Sequence, residues 1–266
     1  MPRANRHYIP GYVWHITHRY HKKEFLLKFV RDRRRWMQWL FEAKRRHGLS
    51  ILNYMVTSNH VHLLVSDNAE QDTIPKSIQL IAGRTGQEYN KRKSRKGAFW
   101  EDRYHATAVA LDEHLFKCMV YIDMNMVRAG VVGHPDEWPF CGYHEIQNPR
   151  QLYSLIDYQR LISLLQMKDI GELQEVCRKR VEERVTKGNQ SRDSRDSKWT
   201  ESIAFGSKQF IEVTLKRLGV KAKGRKIAGG KKSYELREPA IPYGANFTPE
   251  SGLLRLRNTS FWDDII

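Results

Sequence analysis

The sequence predicts an α+β fold, and three observations support this prediction. Short segments rich in β-branched and aromatic residues, typical of strands, alternate with longer segments of helical periodicity in the N-terminal half of the chain. Their order is strand, helix, strand, strand, helix, strand, which is the split βαβ arrangement of a ferredoxin-like antiparallel sheet. One added helix follows the last strand, and a mainly helical C-terminal extension comes after it. A fold of this kind does not by itself indicate a function.

Each predicted element rests on its own local pattern. The strand segments have side chains that would alternate between two faces of a sheet. The helical segments carry apolar residues at helical spacing, with glycine or proline where a helix ends or begins. The predicted strands are residues 12–17, 51–57, 61–65 and 103–111, and the predicted helices are residues 31–47, 73–92 and 113–129.

Composition divides the chain into four regions. Residues 1–147 form the N-terminal domain, and residues 148–187 form a helical extension. Residues 188–198 contain only Gly, Asn, Gln, Ser, Arg, Asp and Lys, a composition typical of a linker. Residues 199–266 form a basic accessory region. Two predicted short helices around Gly206 fit either a DNA-binding helix-turn-helix or a helical cap on the N-terminal domain.

The charge of the chain indicates the class of its partner. Lys and Arg total 46 against 30 Asp and Glu, a formal charge of +16, which favours DNA, RNA or an anionic membrane surface. No apolar run is long enough to cross a bilayer, and the N-terminus lacks the apolar core of a signal peptide. The three cysteines fit neither a zinc motif nor an even disulfide set, so we expect reduced thiols in a cytoplasmic protein.

Two histidines stand two residues apart in a predicted strand. His60 and His62 would therefore point to the same face of the sheet, whereas Val61 would point to the other. Paired imidazoles are good ligands for a divalent metal. Because His-x-His is a common pattern, two strand histidines with ordinary hydrogen bonds are an equally good interpretation of this motif alone.

A tyrosine and an asparagine lie four residues apart on the added helix. Tyr121 and Asn125 would share a helix face, and Asp123 between them would not. A phenol is a nucleophile once its proton is lost or its target is activated, and an amide oxygen can complete a metal's ligand shell. Taken alone, the pair fits a core tyrosine with an asparagine near the helix end better than it fits a catalytic site.

Three stretches of the sequence, in this order, resemble the REP-associated tyrosine transposases of the HUH (His-hydrophobe-His) nuclease superfamily. The stretches are Ser58-Asn59-His60-Val61-His62-Leu63-Leu64-Val65, Phe99-Trp100-Glu101-Asp102-Arg103-Tyr104 and Tyr121-Ile122-Asp123-Met124-Asn125-Met126-Val127-Arg128-Ala129-Gly130. The resemblance covers residues 8–145. Met126 departs from the family, where relatives usually have proline, but this position is not a proposed ligand.

The resemblance implies a metal-dependent endonuclease and strand transferase. His60, His62 and Asn125 would bind Mg²⁺ or Mn²⁺, and Tyr121 on the catalytic helix would attack single-stranded DNA beside a hairpin, leaving a 5′-phosphotyrosine. No nucleotide cofactor is required, because the phosphotyrosine conserves the bond energy. The family also implies a bacterial cytoplasmic, nucleoid-associated protein without a membrane partner, working as a monomer or a homodimer.

Basic and aromatic side chains are predicted to hold the DNA, the former on phosphates and the latter on unpaired bases. Any single cluster also fits a solvated helix face, and Trp100 also fits a core position. The predicted contacts are Arg33, Arg34, Arg35, Arg45, Arg46, Lys91, Arg92, Lys93, Arg95, Lys96, Trp100, Arg103 and Arg128. Four other histidines are predicted to be structural or to contact DNA: His15, His18, His105 and His114.

A different class of function stays open at this point. A DNA or RNA hairpin-binding protein, such as a repressor, would show the same charge and aromatic residues without cutting the strand. A covalent protein–DNA adduct that depends on Tyr121 would separate the enzyme from this alternative.

Overall fold

The strands of the protein form a single sheet. The computed structural model describes residues 8–67, 72–111, 113–187, 196–222, 224–230 and 233–237. In these ranges the strands are β1 (Val13–Arg19), β2 (Ser50–Val56), β3 (His60–Ser66), β4 (His105–Val109), β5 (Ser202–Gly206), β6 (Lys226–Gly230) and β7 (Ser233–Arg237). Their order in the sheet is β2-β3-β1-β4-β5-β7-β6.

Helices connect the strands and extend the chain. They are α1 (Val30–His47), α2 (Thr73–Arg92), α3 (Glu113–Asp123), α4 (Asn125–Arg128), α5 (Gly142–Gln147), α6 (Tyr158–Leu165), α7 (Ile170–Lys187) and α8 (Lys208–Leu218). In the described part of the chain, no helix is both long and apolar enough to span a bilayer. The three cysteines are buried free thiols, as predicted.

The ferredoxin-like prediction is confirmed by strands β1 to β4. The central strand β1 pairs with β3 and β4, and β2 pairs with β3, all antiparallel. Helix α1 connects β1 to β2, and α2 connects β3 to β4, which is the split βαβ order. Helices α1 and α2 pack together on one face of the sheet, and α3 packs against β2 and β4 on the other.

The register of β1 determines which side chains meet on the α3 face. Thr17 lies opposite His62, and Arg19 lies opposite His60. His15, two residues before Thr17, points to the same face. One face of the two neighbouring strands therefore carries three histidines, a threonine and an arginine.

The added helix is shorter than predicted. A single helix over 113–129 was expected, but α3 ends at Asp123, and Met124, with φ −75° and ψ 2°, separates it from the one-turn helix α4. Asn125 therefore begins a new turn. The apolar periodicity continues through this break, so the sequence pattern does not reveal it.

The C-terminal region contradicts the predicted pair of helices around Gly206. Residues 202–206 form β5, which pairs in parallel with β4, and α8 and the β6–β7 hairpin follow. The helix-turn-helix prediction is therefore wrong. A short apolar segment such as Ile203-Ala204-Phe205 fits a helix or a strand equally well. Here it forms a strand because it pairs with the edge of β4.

The regions after the N-terminal domain are only partly described. The predicted helical extension contains α6 and α7, although its first residues, 151–157, are not helical. Residues 188–195 of the predicted linker, and residues 238–266 of the accessory region, lie outside the described residues. Strands β5 to β7 continue the sheet of the N-terminal domain.

Candidate active site

Two imidazoles and a carboxamide converge on the α3 face of the sheet. His60 and His62 point from β3 toward α4, where Asn125 is the first residue. The Asn125 Nδ2 atom lies 3.3 Å from Nε2 of His60 and 3.1 Å from Nε2 of His62. Both ring nitrogens therefore face one point, and the carboxamide lies against that point.

The tautomer of His60 follows from its hydrogen bonds. Its Nδ1 atom lies 2.6 Å from Oδ1 of Asn59, an oxygen that only accepts hydrogen bonds. In a neutral ring, Nδ1 therefore carries the proton and donates it to Asn59. The lone pair of His60 is on Nε2, the nitrogen that faces Asn125.

The tautomer of His62 is determined by a chain of two further hydrogen bonds. The carbonyl oxygen of Trp199 lies 2.9 Å from Nδ1 of His15, so this nitrogen donates. The other nitrogen of His15, Nε2, must then accept from Nδ1 of His62 over 2.9 Å. Thr17 Oγ1 lies 3.2 Å from the same His62 Nδ1. The lone pair of His62 is therefore on Nε2, like that of His60.

Burial keeps His15 and His62 neutral. His15 and His62 are 0% and 2% exposed. Burial lowers the pKa of His15 from 6.5 to about 3. Burial, together with the neighbouring His60 and His15, lowers the pKa of His62 well below its ordinary value. A neutral imidazole is the form that binds a metal ion.

The two imidazoles and the carboxamide fit a divalent cation whose coordination shell is completed by other ligands. Rotation of the Asn125 carboxamide exchanges Oδ1 for Nδ2, so an oxygen can face the two Nε2 atoms. Two imidazole nitrogens and one amide oxygen leave positions for water or phosphate. No group of three or more His, Cys, Asp or Glu side chains suited to a metal occurs in the described residues. The candidate set therefore contains no carboxylate and depends on an asparagine.

Tyr121 lies beside the histidines in the last turn of α3. Its ring centroid is 5.9 Å from that of His62 and 6.0 Å from that of His15, both edge to face. Trp199 stacks on the tyrosine ring, with centroids 5.8 Å apart and planes inclined by 29°. These contacts hold the ring of Tyr121 next to the two imidazoles.

Arg128 covers the other side of Tyr121. Its guanidinium carbon lies 4.3 Å from the centroid of the tyrosine ring, and its Nη1 donates a hydrogen bond of 2.9 Å to the Tyr121 carbonyl oxygen. Burial lowers the pKa of Arg128, but the ordinary value is so high that the group stays charged. A positive charge therefore lies beside the Tyr121 phenol, where it stabilises the negative charge of a phenolate or of a bound phosphate.

The structure brings together five side chains that were predicted for the site and three that were not. His60, His62, Asn125, Tyr121 and Arg128 lie within one region, as expected from the sequence. The additional residues are His15, Arg19 and Trp199. His15, Thr17 and Arg19 alternate along β1, and this pattern could have identified His15 and Arg19 as residues of the site. Trp199 has no such signal, because it is 184 residues away from its partner His15.

Arg33 has a structural role rather than the predicted DNA contact. The residue is 7% exposed, and its Nη1 donates to the carbonyl oxygens of Leu27 and Lys28 at 2.8 and 2.9 Å. Its guanidinium also lies 4.8 Å from the ring centroids of Trp138 and Phe140. It therefore has little surface to offer to a phosphate.

Several other predicted DNA contacts take part in bonds within the protein. Trp100 is half-buried, stacks on His18 at 3.8 Å between centroids and donates from Nε1 to the carbonyl oxygen of Ala82. Arg35 binds Glu88, Arg45 and Arg46 bind Glu42, Arg92 binds Asp32, and Arg95 binds Glu24 and the Ala98 carbonyl oxygen. A phosphate would have to compete with these partners.

The remaining exposed cations of the predicted DNA surface lie away from Tyr121. They are Arg34, Lys91, Lys93, Lys96 and Arg103. The first four belong to α1, α2 and the residues just after α2, on the opposite face of the sheet from Tyr121. The other histidines are held within the fold: His18 by Trp100, His105 by the Ser202 carbonyl oxygen and His114 by the Ser233 hydroxyl.

Part of the chain is similar to one known protein family. Residues 11–125 match the family of IS200-like transposases, which confirms the predicted resemblance. A REP-associated tyrosine transposase bound to a REP hairpin is similar in structure, with 22% identity, a TM-score of 0.48 and coverage of 58% of this chain and 90% of that one. A protein of Deinococcus radiodurans R1 assigned as a transposase has 17% identity, a TM-score of 0.33 and coverage of 46% and 95%. No curated protein shows significant sequence similarity to this chain.

Proposed function

We propose that this protein, with its IS200-like transposase region, is a metal-dependent endonuclease and strand transferase that acts on single-stranded DNA beside a hairpin. The observation that carries the proposal is the convergence of Tyr121 with the Nε2 atoms of His60 and His62 and the carboxamide of Asn125. Two imidazoles, an amide and a phenol together suit attack on a phosphodiester better than they suit passive binding.

Tyr121 is the proposed nucleophile. Its phenol oxygen attacks the phosphorus of one phosphodiester, and the bond from phosphorus to the 3′-oxygen breaks. The phenol gives up its proton to solvent, and the departing 3′-oxygen gains one, so the products are a 5′-phosphotyrosine and a free 3′-hydroxyl. Attack by another 3′-hydroxyl reverses the step and restores the tyrosine. The covalent bond keeps the energy of the phosphodiester, so no nucleotide cofactor is required.

His60, His62 and Asn125 are the proposed ligands of Mg²⁺ or Mn²⁺. Bound there, the ion would offset the negative charge of the scissile phosphate and stabilise the departing oxygen. Asn59 and His15 fix the two ring tautomers, so both Nε2 lone pairs are available without rearrangement. Arg128 favours loss of the phenol proton, because its charge lies over the Tyr121 ring.

The proposed site is complete within one chain. Tyr121 lies next to the histidines of its own chain, so no residue from a second subunit is required. This supports cleavage by a monomer, and it leaves a homodimer of two independent sites as the alternative. We further propose that the protein acts in the cytoplasm on the bacterial nucleoid, which the charge of +16 supports.

The test is the formation of a covalent adduct. Fluorescent DNA hairpins flanked by randomised single strands are incubated with Mn²⁺ or Mg²⁺ and separated on a denaturing gel. Wild type is expected to form a protein–DNA band, and Tyr121→Phe is expected to form none while binding the same DNA in EDTA. Tyr143→Phe, a control tyrosine away from the histidines, should retain the band.

Failure of the wild type to form an adduct on any hairpin of the pool would favour the non-cleaving alternative. That alternative is a hairpin-binding protein or repressor, and its expected result is tight binding with an intact strand. Competition by RNA hairpins of the same sequences then separates an RNA-binding protein from a DNA-binding one.

A further inference from the structure

A cavity of about 700 Å³ opens beside Tyr121 on the side away from the sheet. Its walls are the outer surface of α3, the residue Arg128 of α4, the surface of α7 and the turn Asp196–Trp199. Helix α7 and the turn lie outside the region that matches the transposase family. The cavity is therefore formed between the family's core and the part of this chain that follows it.

The charge of the cavity wall is positive. Five cations face two carboxylates, Glu183 and Asp196, and the cations are Lys117, Arg128, Arg180, Arg184 and Lys198. Lys198 is 2.5 Å from Asp196, and Arg180 binds Glu113. The remaining excess of positive charge would attract an anion. The volume exceeds what a single phosphate needs, and it lies within the range of sites for organic ligands.

Two of the three aromatic rings in the wall, those of Phe116 and Tyr121, are covered by an arginine. The guanidinium of Arg180 lies 4.8 Å from the centroid of Phe116, and that of Arg128 lies 4.3 Å from the centroid of Tyr121. Planar guanidinium groups and aromatic rings are the surfaces on which unpaired bases stack, and cations beside them bind the phosphates that connect those bases. This combination suits a polyanion with planar groups.

The turn that closes the cavity is held firmly to the sheet. His15 donates to the carbonyl oxygen of Trp199 over 2.9 Å, and the Thr107 hydroxyl lies 3.3 Å from the same oxygen. Arg237 of β7 donates to the Ser197 hydroxyl over 2.8 Å. The turn is therefore a fixed wall, and the cavity it forms is preorganised for a ligand.

We propose that this cavity binds the unpaired nucleotides that adjoin the scissile phosphate. The identity of the ligand rests on the proposed function, because Tyr121 forms part of the wall and would meet a strand that fills the cavity. A cavity of about 700 Å³ is too small to admit a double helix, so it favours single-stranded DNA over duplex DNA. The C-terminal part of the chain thereby contributes a nucleotide subsite to the active site.

The test measures binding without cleavage. In the Tyr121→Phe protein with EDTA, the affinity for a fluorescent single strand of about 12 randomised nucleotides is compared with that for a blunt duplex. The cavity variant is Lys117→Gln/Arg184→Gln. The control variant, Lys179→Gln/Lys216→Gln, removes two exposed cations that do not line the cavity.

The cavity variant is expected to bind the single strand about tenfold or more weakly. Loss of two phosphate contacts should also reduce the slope of log K against log salt by about 1.4. Its affinity for the duplex should change no more than that of the control variant. Equal weakening in the cavity and control variants, or equal weakening for single strand and duplex, would overturn the proposal. If the wild type binds the single strand through this cavity but never forms a covalent adduct, the result would contradict the proposed nuclease activity and not the proposed nucleotide subsite.

Discussion

His15 connects strand β3, which carries two of the proposed metal ligands, to the C-terminal part of the chain. It accepts a hydrogen bond from His62, a proposed ligand, and donates one to the carbonyl oxygen of Trp199, whose ring stacks on Tyr121. Partners that orient a metal-binding histidine raise metal affinity because they fix the ring and its tautomer. His15 is therefore a positioning residue of the site, although it would touch neither metal nor DNA.

The change His15→Phe is expected to weaken Mn²⁺ binding about tenfold in the absence of DNA. Phenylalanine preserves a buried ring but accepts no hydrogen bond from His62, and only Thr17 Oγ1, at 3.2 Å, is left to do so. Binding is measured from the EPR signal of free Mn²⁺. His18→Phe, the same change on the opposite face of β1, is the control and should bind normally. Equal affinities in the two variants would contradict the positioning role.

Glycine 142 allows helix α5 to approach strand β2. A Cβ atom at this position would lie 2.0 Å from Oδ1 of Asn53 and 3.0 Å from the backbone nitrogen of Tyr54. Asn53 cannot move freely, because it binds Asp123 at 2.9 Å and Tyr54 at 2.7 Å. Asn53 thus connects helix α5 at Gly142 to Asp123, the last residue of α3.

We expect Gly142→Ala to reduce the free energy of unfolding by about 2 kcal/mol or more, because it overpacks this contact. Gly83→Ala is the control within α2, where an added Cβ meets nothing within 4 Å. Alanine favours a helix over glycine, so this variant should be neutral or more stable by up to about 1 kcal/mol. Urea unfolding measures both values. A Gly142→Ala protein as stable as Gly83→Ala would rule out the tight contact.

Some helices and strands were predicted correctly from the sequence and others were not. Helix α1 buries Trp36 and Leu40 at helical spacing. It is capped by Gly48, which adopts φ +67° and donates to the Lys44 carbonyl oxygen. Every signal for this helix is local. Strand β5 was predicted as a helix, because its pairing partner β4 is about 95 residues earlier in the chain and local pattern contains no information about it. The break between α3 and α4 was missed because the apolar periodicity continues through it.

The C-terminal strands are expected to be necessary for the stability of the whole molecule. Ending the chain after Lys187 would expose the edge of β4 and remove Trp199 and Phe205, which are 2% and 4% exposed. Open strand edges promote aggregation. This truncation should yield insoluble or unfolded protein, whereas a chain ending at Arg237 retains every described element and should unfold cooperatively. Circular dichroism and size-exclusion chromatography distinguish these outcomes, and a soluble, folded chain ending at Lys187 would show that β5 to β7 are dispensable.

Stability should depend on pH through His15. Its pKa is about 3 in the folded protein and 6.5 ordinarily, so its contribution is fully present above pH 6.5 and declines as the pH falls toward 3. Between pH 7.5 and 4.5, wild type should lose about 3 kcal/mol relative to His15→Phe. Urea unfolding in EDTA measures this difference, with His18→Phe as the control. A difference that does not change with pH would mean that His15 titrates normally.

Asp123 changes the stability of the wild type with pH in the opposite direction to His15, so the two effects partly cancel. Burial raises its pKa from 3.8 to about 7, so its contribution to stability is lost as the pH rises through 7. For this reason the effect of His15 is clearest as a difference between variants. Asp123→Asn retains an acceptor for Asn53 and should gain stability relative to wild type between pH 5 and 8. The same unfolding experiment provides the result.

By itself the sequence determined the ferredoxin-like sheet and the shared face of His60 and His62, because strand periodicity decides which neighbours point the same way. It also predicted that Tyr121 and Asn125 lie close together, but on one continuous helix, which the structure breaks at Met124. Only the tertiary structure decided that β5 joins the sheet, that Trp199 packs on Tyr121 and that His15 holds His62. It also decided that Arg33 is buried. The physical reason is range: these contacts join residues far apart in the chain, and they form because an open strand edge and buried polar groups require partners.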